Sequence, residues 1–173
     1  RDPLWSRGLG DVYKRQELRR QGITAPIVAW LHAPGERFDQ AAAHDVEVGI
    51  SSFDQLEAAG AVASVDRPVG VHLKFETGLS RNGIAPADWR RVLAEAARLE
   101  RIGRLRIIGL FSHLSNTSPQ DDREALAKFE EAVAAAASFG IHPEIRHIAA
   151  TAAAIDLPEM RLDAVRILSL IHI

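Results

Sequence analysis

The feature that most constrains this chain is the alternation of short apolar runs with longer amphipathic segments. The runs of strand length are Pro26–Leu31, Val46–Ile50, Val69–Phe75, Arg106–Ser112, Glu144–Ala149 and Asp163–Ile167. Several of them, such as GVHLKF and IIGLFS, show no alternation of polar and apolar residues. Such runs are typical of strands buried on both faces, so the pattern predicts a parallel sheet covered by helices.

Helical patterns lie between these runs, over Glu36–His44, Phe53–Ser64, Ala87–Glu100 and Gln120–Phe139. Ser52 with Gln55 is typical of a capping box, and Ser118 followed by Pro119 marks a second helix start. The alternation indicates an α/β architecture, either an open doubly wound sheet or a (β/α)8 barrel. The first strands are not followed by a Gly-x-Gly-x-x-Gly motif, which argues against a dinucleotide-binding domain.

The composition excludes several classes of protein. The chain has 173 residues, a net charge of -2 and no cysteine. Disulfide frameworks and thiolate chemistry are therefore absent, and a basic surface for nucleic acid or anionic lipid is not expected. The apolar runs are shorter than the ~20 residues that span a bilayer. We predict neither a nucleic-acid partner nor a membrane segment.

The two ends of the chain are related through one DNA string. GAT GTG TAT AAG AGA CAG encodes DVYKRQ, residues 11–16, and its reverse complement encodes LSLIHI, residues 168–173. The string resembles a transposon end used in sequencing libraries. We interpret residues 1–16 and 168–173 as translated adapter sequence, which leaves Glu17–Ile167 as the natural segment. The only tyrosine of the chain, Tyr13, falls outside that segment.

Polar residues follow several predicted strands at their carboxyl ends, where an α/β barrel carries its functional groups. Lys74 lies within the third strand, and a buried lysine is costly unless it is paired or modified. Arg81 follows that strand, and His113 ends the fourth. Thr151 follows the fifth strand, and Arg166 lies in the sixth. We expect these five side chains to converge at one rim.

Three blocks of the sequence resemble those of the alanine racemases, bacterial enzymes that depend on pyridoxal phosphate. HLKFETGLSRNGI is similar to the family motif HLKxDTGMxRxG, and GLFSHLSNTSPQDD resembles the next barrel segment. HIAATAAAIDLPEMRLDAVR is similar to HxANSAAxxxLPExxxDxVRxG. The blocks follow the family's order and spacing. The resemblance implies an incomplete (β/α)8 TIM-type barrel, with about six of eight strands in a parallel sheet and helices outside it.

The resemblance also implies a role for each candidate residue. Arg81 matches an arginine that binds the phenolic oxygen of the cofactor, and Lys74 matches a lysine that is often carbamylated and pairs with it. His113 matches a histidine near the cofactor ring. Thr151 takes the place of a serine that binds the phosphate, and Arg166 matches the arginine that donates to the pyridine nitrogen.

Three positions depart from the family pattern. Ala150 replaces an asparagine, which puts a polar contact in doubt, while Glu76 for Asp and Ser80 for Gly are milder changes.

The resemblance implies that the intact parent is a cytoplasmic homodimer that interconverts L- and D-alanine by two-base proton transfer, with pyridoxal 5'-phosphate as cofactor. The family's Schiff-base lysine and catalytic tyrosine do not match positions in Glu17–Ile167. We therefore predict no catalytic residue and no metal site in this segment, and no activity for the chain alone. The alternatives are a broad-specificity amino-acid racemase of the same fold and a non-catalytic pyridoxal phosphate-binding barrel.

Overall fold

A computed structural model describes residues 17–32 and 38–167 of the chain. The segments interpreted as adapter, residues 1–16 and 168–173, lie outside the described residues. Residues 36–37, the start of the first predicted helix, also lie outside them.

Within the described ranges, six parallel strands form one sheet. They are β1 (Val28–Ala29), β2 (Glu47–Ile50), β3 (Val69–Lys74), β4 (Leu105–Phe111), β5 (Ile145–Ala150) and β6 (Ala164–Arg166). Each strand pairs with the one before it in sequence, so the order runs from β1 to β6 without a reversal. A doubly wound sheet reverses its order at a switch point, whereas a barrel wall does not. The predicted incomplete barrel is confirmed.

Helices connect the strands and cover the outer face of the sheet. They are α1 (Phe38–Ala43), α2 (Phe53–Val62), α3 (Trp89–Arg101), α4 (Pro119–Ser138) and α5 (Thr151–Asp156), with short 3-10 helices at Pro86–Asp88 and Pro158–Met160. Residues 17–20 are also helical. The first four match the predicted helices, but α5 was not predicted because six residues are too few to show a period. Among the described helices, none combines the length and apolarity needed to cross a membrane.

The two predicted helix starts are confirmed by their side-chain caps. Oγ of Ser52 accepts from the backbone N–H of Gln55 at 3.2 Å, at the start of α2. Oγ of Ser118 accepts from the backbone N–H of Asp121 at 3.1 Å, at the start of α4. Each bond satisfies an amide group of the first turn, which has no partner within the helix.

The core lies between the sheet and the helices. α3 buries Val92, Leu93, Ala96 and Leu99, a spacing that forms one helical face. All six residues of β3 are buried, as the lack of alternation predicts. Their outward side chains pack beneath the helices, and the inward ones, such as His72, face the interior of the partial barrel.

A β-bulge in β4 changes what faces that interior. β3 and β4 pair Val71 with Ile107, but the next residue of β3, His72, pairs with Gly109. Ile108 is therefore the extra residue of the bulge. The bulge sets a residue without a side chain opposite His72, and the ring of His72 occupies the space above it.

Candidate functional site

Four of the five candidate residues lie together at the carboxyl ends of the strands. One cavity is lined by Trp30, Leu31, Lys74, Arg81, Phe111, His113 and Arg166. Its volume is about 40 Å³, and one water molecule in the liquid takes about 30 Å³. The described residues thus form one wall of a site and do not enclose a large pocket.

Thr151 does not line this cavity. It is the first residue of α5, directly after β5, and the residue before it, Ala150, pairs with Arg166 of β6. The N-cap position belongs to Ala150, whose side chain makes no capping hydrogen bond. Thr151 therefore stands on the same rim as Arg166 but outside the cluster formed by the other four residues.

Lys74 is almost completely buried, with 5% of its surface exposed. Its Nζ donates to Oδ1 of Asn82 at 3.1 Å. Burial is the main cause that lowers the pKa of Lys74 to about 8, and the positive charges of Arg81 and Arg166 lower it further, while Glu76 opposes them. A sizeable fraction of this amine is therefore neutral, and nucleophilic, at slightly basic pH.

The loop that carries Arg81 is folded around a carboxylate. Oε1 of Glu76 accepts from the backbone N–H groups of Gly78, at 2.5 Å, and Ser80, at 2.9 Å. Ser80 has a φ of 53°, in the left-handed region that favours glycine. This tight turn returns the chain toward β3, so that Arg81 lines the same cavity as Lys74.

The guanidinium of Arg166 is surrounded by acceptors. Nη1 donates to Nδ1 of His147, and Nη2 lies 3.0 Å from Nδ1 of His113. Nη2 also donates to the carbonyl oxygens of Ser112, at 2.7 Å, and Ile148, at 2.9 Å. These contacts come from β5 and the end of β4, so they fix the direction of the guanidinium.

No carboxylate of the described residues forms an ion pair with Arg166. Asp163, the nearest acidic residue in the sequence, pairs instead with Arg146 at 3.0 Å. Burial lowers the pKa of Arg166 to about 10, which leaves it charged at neutral pH. Together with Lys74 and Arg81, it gives this rim a positive charge that fits an anionic ligand.

The two histidines that contact Arg166 are neutral at physiological pH. Burial, followed by the charge of Arg166, lowers the pKa of His113 to about 4 and that of His147 to about 3. A neutral imidazole has one acceptor nitrogen. In both rings that acceptor is Nδ1, which faces the guanidinium.

The site also has an aromatic part, which was not predicted from the sequence. Trp30 and Phe111 stack with their ring centroids 5.8 Å apart. Cζ of Arg166 lies 5.2 Å from the Trp30 ring centroid and 5.7 Å from that of Phe111, within the range of cation–π attraction. Trp30 and Phe111 lie near the carboxyl ends of their apolar runs, as Lys74 does. That position alone could have predicted that they line the site.

A larger cavity, of about 820 Å³, lies at the opposite end of the strands. Asp45 and Pro68, which precede β2 and β3, line it together with Arg106 at the start of β4, and it contains none of the candidate residues. In the part of the chain that the structure describes, no three histidine or acidic side chains are grouped as metal ligands.

Comparison with known proteins gives the family. The family model described as the N-terminal domain of alanine racemase matches residues 9–167. This chain belongs to the alanine racemase family. The match includes every candidate residue and all six strands.

Individual alanine racemases agree with this assignment over most of the chain. The enzyme of Thermobifida fusca (strain YX) is 39% identical over 163 residues, which covers 92% of this chain and 44% of that protein. The crystal structure of alanine racemase from D-cycloserine producing Streptomyces lavendulae is 34% identical with a TM-score of 0.80, and the match covers 90% of this chain and 42% of that one.

A third relative has a ligand in its structure. Alanine racemase from Bacillus anthracis with bound L-Ala-P is 25% identical with a TM-score of 0.76, over 90% of this chain and 40% of that one. The chain thus spans less than half the length of the alanine racemases that it matches.

Proposed function

We propose that residues 17–167 form the cofactor-binding wall of an alanine racemase that uses pyridoxal 5'-phosphate. Arg81, His113, Thr151 and Arg166 are its proposed cofactor ligands. The observation that carries the proposal is the guanidinium of Arg166, which is partly buried and held by two neutral histidines with no carboxylate of the described residues beside it. Such a guanidinium is organised to donate to an acceptor atom of a ligand.

The chemistry of the side chains fits this cofactor. Lys74, Arg81 and Arg166 supply positive charge, and the cofactor has a phosphate, a phenolic oxygen and a pyridine nitrogen that accept hydrogen bonds. Trp30 and Phe111 supply apolar rings beside the guanidinium. Thr151 lies on the rim and does not line the cavity, so its contact with the phosphate remains a prediction.

When it is bound, the cofactor withdraws electrons from the α-carbon of an amino acid and so lowers the cost of removing its proton. Arg166 keeps its protons at neutral pH, so a ring nitrogen bound to it accepts a hydrogen bond and stays unprotonated. Held by Arg166 in this way, an unprotonated ring would withdraw electrons less strongly than a protonated one, which would favour return of the proton to the α-carbon over side reactions. His113, being neutral, adds no second cation beside Arg166.

Lys74 is proposed to carry a carbamate. Carbamylation replaces a buried ammonium by an anion, which would remove the repulsion between Lys74 and Arg81 and form an ion pair with Arg81.

The whole protein is proposed to be a cytoplasmic homodimer that supplies D-alanine. The Schiff-base lysine and the tyrosine of two-base transfer are not among the residues of the 17–167 segment that match the family motifs. We therefore propose that the chain binds the cofactor but does not racemise alanine. Appearance of D-alanine from L-alanine above the buffer background, in the presence of chain and cofactor, would refute this second part.

The binding test uses pyridoxamine 5'-phosphate, which has the same ring and phosphate but forms no imine with lysine side chains. Binding to the full chain is followed by quenching of tryptophan fluorescence, since Trp30 lines the site. We expect Arg166→Gln to weaken binding at least ~10-fold, because a charged hydrogen bond is worth about 1.5–3 kcal/mol.

The matched control is Arg123→Gln, which removes an exposed guanidinium paired with Glu159 at 3.1 Å, since neither residue lines the cavity. Trp30→Phe identifies the tryptophan that responds. Equal affinity of the Arg166→Gln and Arg123→Gln variants would contradict the proposed function.

A further inference from the structure

A chain of four hydrogen-bonded side chains crosses the interior face of the sheet beneath the site. Oε2 of Glu47, on β2, lies 2.8 Å from Nε2 of His72, on β3. Nδ1 of His72 lies 3.3 Å from Nε2 of His147, on β5. Nδ1 of His147 accepts from Nη1 of Arg166, on β6. Glu47 is thereby connected to Arg166 although it does not touch the site.

Arg166 and Glu47, the two ends of this series of side chains, determine which nitrogen carries the proton in each of the two histidines between them. A guanidinium can only donate, and a carboxylate can only accept. Nδ1 of His147 must therefore accept from Arg166, which leaves the proton of the neutral ring on Nε2, where it is donated to His72. His72 then accepts at Nδ1 and donates from Nε2 to Glu47. Both ends require the same tautomer, with the proton on Nε2, in both rings.

The interior of the sheet is shaped to let these side chains meet. A Cβ atom at Gly109 would lie 2.1 Å from Nδ1 of His72, and one at Gly70 would lie 3.0 Å from Cγ of Glu47. Gly109 and Gly70 thus leave room for the side chains of His72 and Glu47, which larger residues at these two positions would displace. The His72 side chain is 2% exposed and that of Glu47 is 16% exposed, so water competes little for their hydrogen bond.

We propose that Glu47 is a positioning residue for Arg166: through His72 and His147 it fixes the tautomer that accepts from Nη1 and so aims the guanidinium at the cavity. The inference rests on the proposed function, since it takes Arg166 to be a cofactor ligand. Without the carboxylate, His72 has no preferred orientation of its proton. In its Nδ1–H tautomer, His72 donates to Nε2 of His147 and so competes with Arg166. The proton of His147 then lies partly on Nδ1, where it faces the N–H of Arg166 as a second donor.

A purely structural role for Glu47 makes a different prediction. A hydrogen bond between Glu47 and His72 that only stabilised the fold would leave the choice of tautomer in His147 to Arg166. The tautomer of His147 therefore separates the two roles, whereas a loss of stability does not.

The test is a long-range 1H–15N NMR spectrum of the full 15N-labelled chain without cofactor. In the wild-type chain we expect the Nε2–H tautomer in both His72 and His147. Glu47→Leu removes the acceptor and should shift a measurable part of His147 to the Nδ1–H tautomer. Glu47→Gln keeps an oxygen that can accept, and it should restore the wild-type tautomer. Wild-type His147 tautomer in Glu47→Leu would overturn the proposal.

The matched control is Glu100→Leu. Glu100 is also partly buried, but its Oε1 accepts from the backbone N–H of Ile107 at 2.8 Å. Its loss should lower the stability and leave both histidine tautomers unchanged. If Glu47→Leu does not fold, Glu47→Asp takes its place, because a side chain shorter by one carbon keeps the charge but does not reach His72.

The affinity of each variant for pyridoxamine 5'-phosphate then tests whether the tautomer of His147 affects ligand binding at the site. Loss of a group that orients a metal ligand typically costs about 10- to 100-fold in affinity or activity. By analogy, we expect about 10-fold weaker binding in Glu47→Leu and recovery in Glu47→Gln. Changed tautomers with unchanged affinity would overturn the positioning role. A wild-type chain that binds no pyridoxamine 5'-phosphate would refute the proposed function, while the tautomers of the free chain would still decide how Glu47 acts on His147.

Discussion

The ring of His72 fills the space that a side chain at Gly109 would need. A Cβ atom at position 109 would lie 2.1 Å from Nδ1 of His72 and 2.7 Å from Cε1. The ring has no free space to retreat into, because it packs edge-on against Phe111 and His147, with centroid distances of 6.4 and 5.5 Å. The absence of a side chain at Gly109 therefore lets the His72 ring occupy the position from which it forms a hydrogen bond with His147.

Gly109→Ala is accordingly expected to destabilise the chain. The added methyl group must displace a buried ring, and overpacking of this kind costs about 1–3 kcal/mol. Urea denaturation followed by circular dichroism measures the change in the free energy of unfolding. Gly60→Ala is the control, because its Cβ would meet the terminal methyl groups of Leu99, which can rotate, and alanine favours the helix. Equal losses in the two variants would argue against a tightly held His72.

The stability of the chain should fall as the pH is lowered from about 6.5 toward 4. Burial and Arg166 lower the pKa of His113 to about 4 and that of His147 to about 3, whereas both are near 6.5 in the unfolded chain. In this window the unfolded chain binds more protons than the folded one, so acid favours unfolding. The midpoint of urea denaturation at pH 7, 6 and 5 measures the effect.

A single histidine variant isolates this effect from that of the carboxylates. His113→Gln should reduce the slope of stability against pH, whereas His142→Gln, at an exposed position, should leave it as in the wild-type chain. A His113→Gln slope equal to that of the wild-type chain would count against a partly buried, neutral His113.

Ser80→Gly should stabilise the chain by about 0.5–1 kcal/mol. Ser80 adopts a φ of 53°, which glycine tolerates without the steric cost of a Cβ atom. Thermal unfolding measures the gain. Ser80→Ala is the control, because it removes the hydroxyl group but keeps the Cβ atom, and it should give no gain. Stabilisation by both variants would assign the effect to the hydroxyl group and not to the backbone.

Lys74 should react with carbon dioxide. The pKa of Lys74, lowered to about 8, leaves about half of the amine neutral at pH 8, against well under 1% for an ordinary lysine. The neutral amine adds to CO2 and releases one proton, giving a carbamate. A carbamate resonance is expected in 13C NMR with 13C-labelled bicarbonate. It should persist in Lys128→Arg and disappear in Lys74→Arg; persistence in Lys74→Arg would place the carbamate elsewhere.

The elements that the sequence predicted correctly are those specified by local patterns. The strand around Val69 and the helix that begins after Ser118 each follow from the spacing of apolar residues and a capping residue within a few positions. Parallel strands then bring their carboxyl ends to one edge. That rule alone was sufficient to expect Lys74, Arg81 and His113 close to one another.

The features that were missed depend on register. Glu47 is a charged residue in an apolar run, and nothing in its neighbourhood indicates that it meets His72, 25 positions later. The space for the His72 ring depends in turn on the bulge at Ile108, which places Gly109 and not a larger residue opposite it. Thr151 lies on the expected rim but outside the cavity, a difference that the order of the strands alone does not predict.

The order of the sheet has a consequence for the way in which the chain reaches its native state. Successive strands begin about 20 to 40 residues apart, and each lies beside its immediate predecessor. Every pairing therefore closes a loop of similar, moderate length and similar entropic cost. Among the six described strands, each strand after β1 is synthesised after the neighbour with which it first pairs. The sheet can grow by accretion during synthesis, with each completed strand serving as the template for the next.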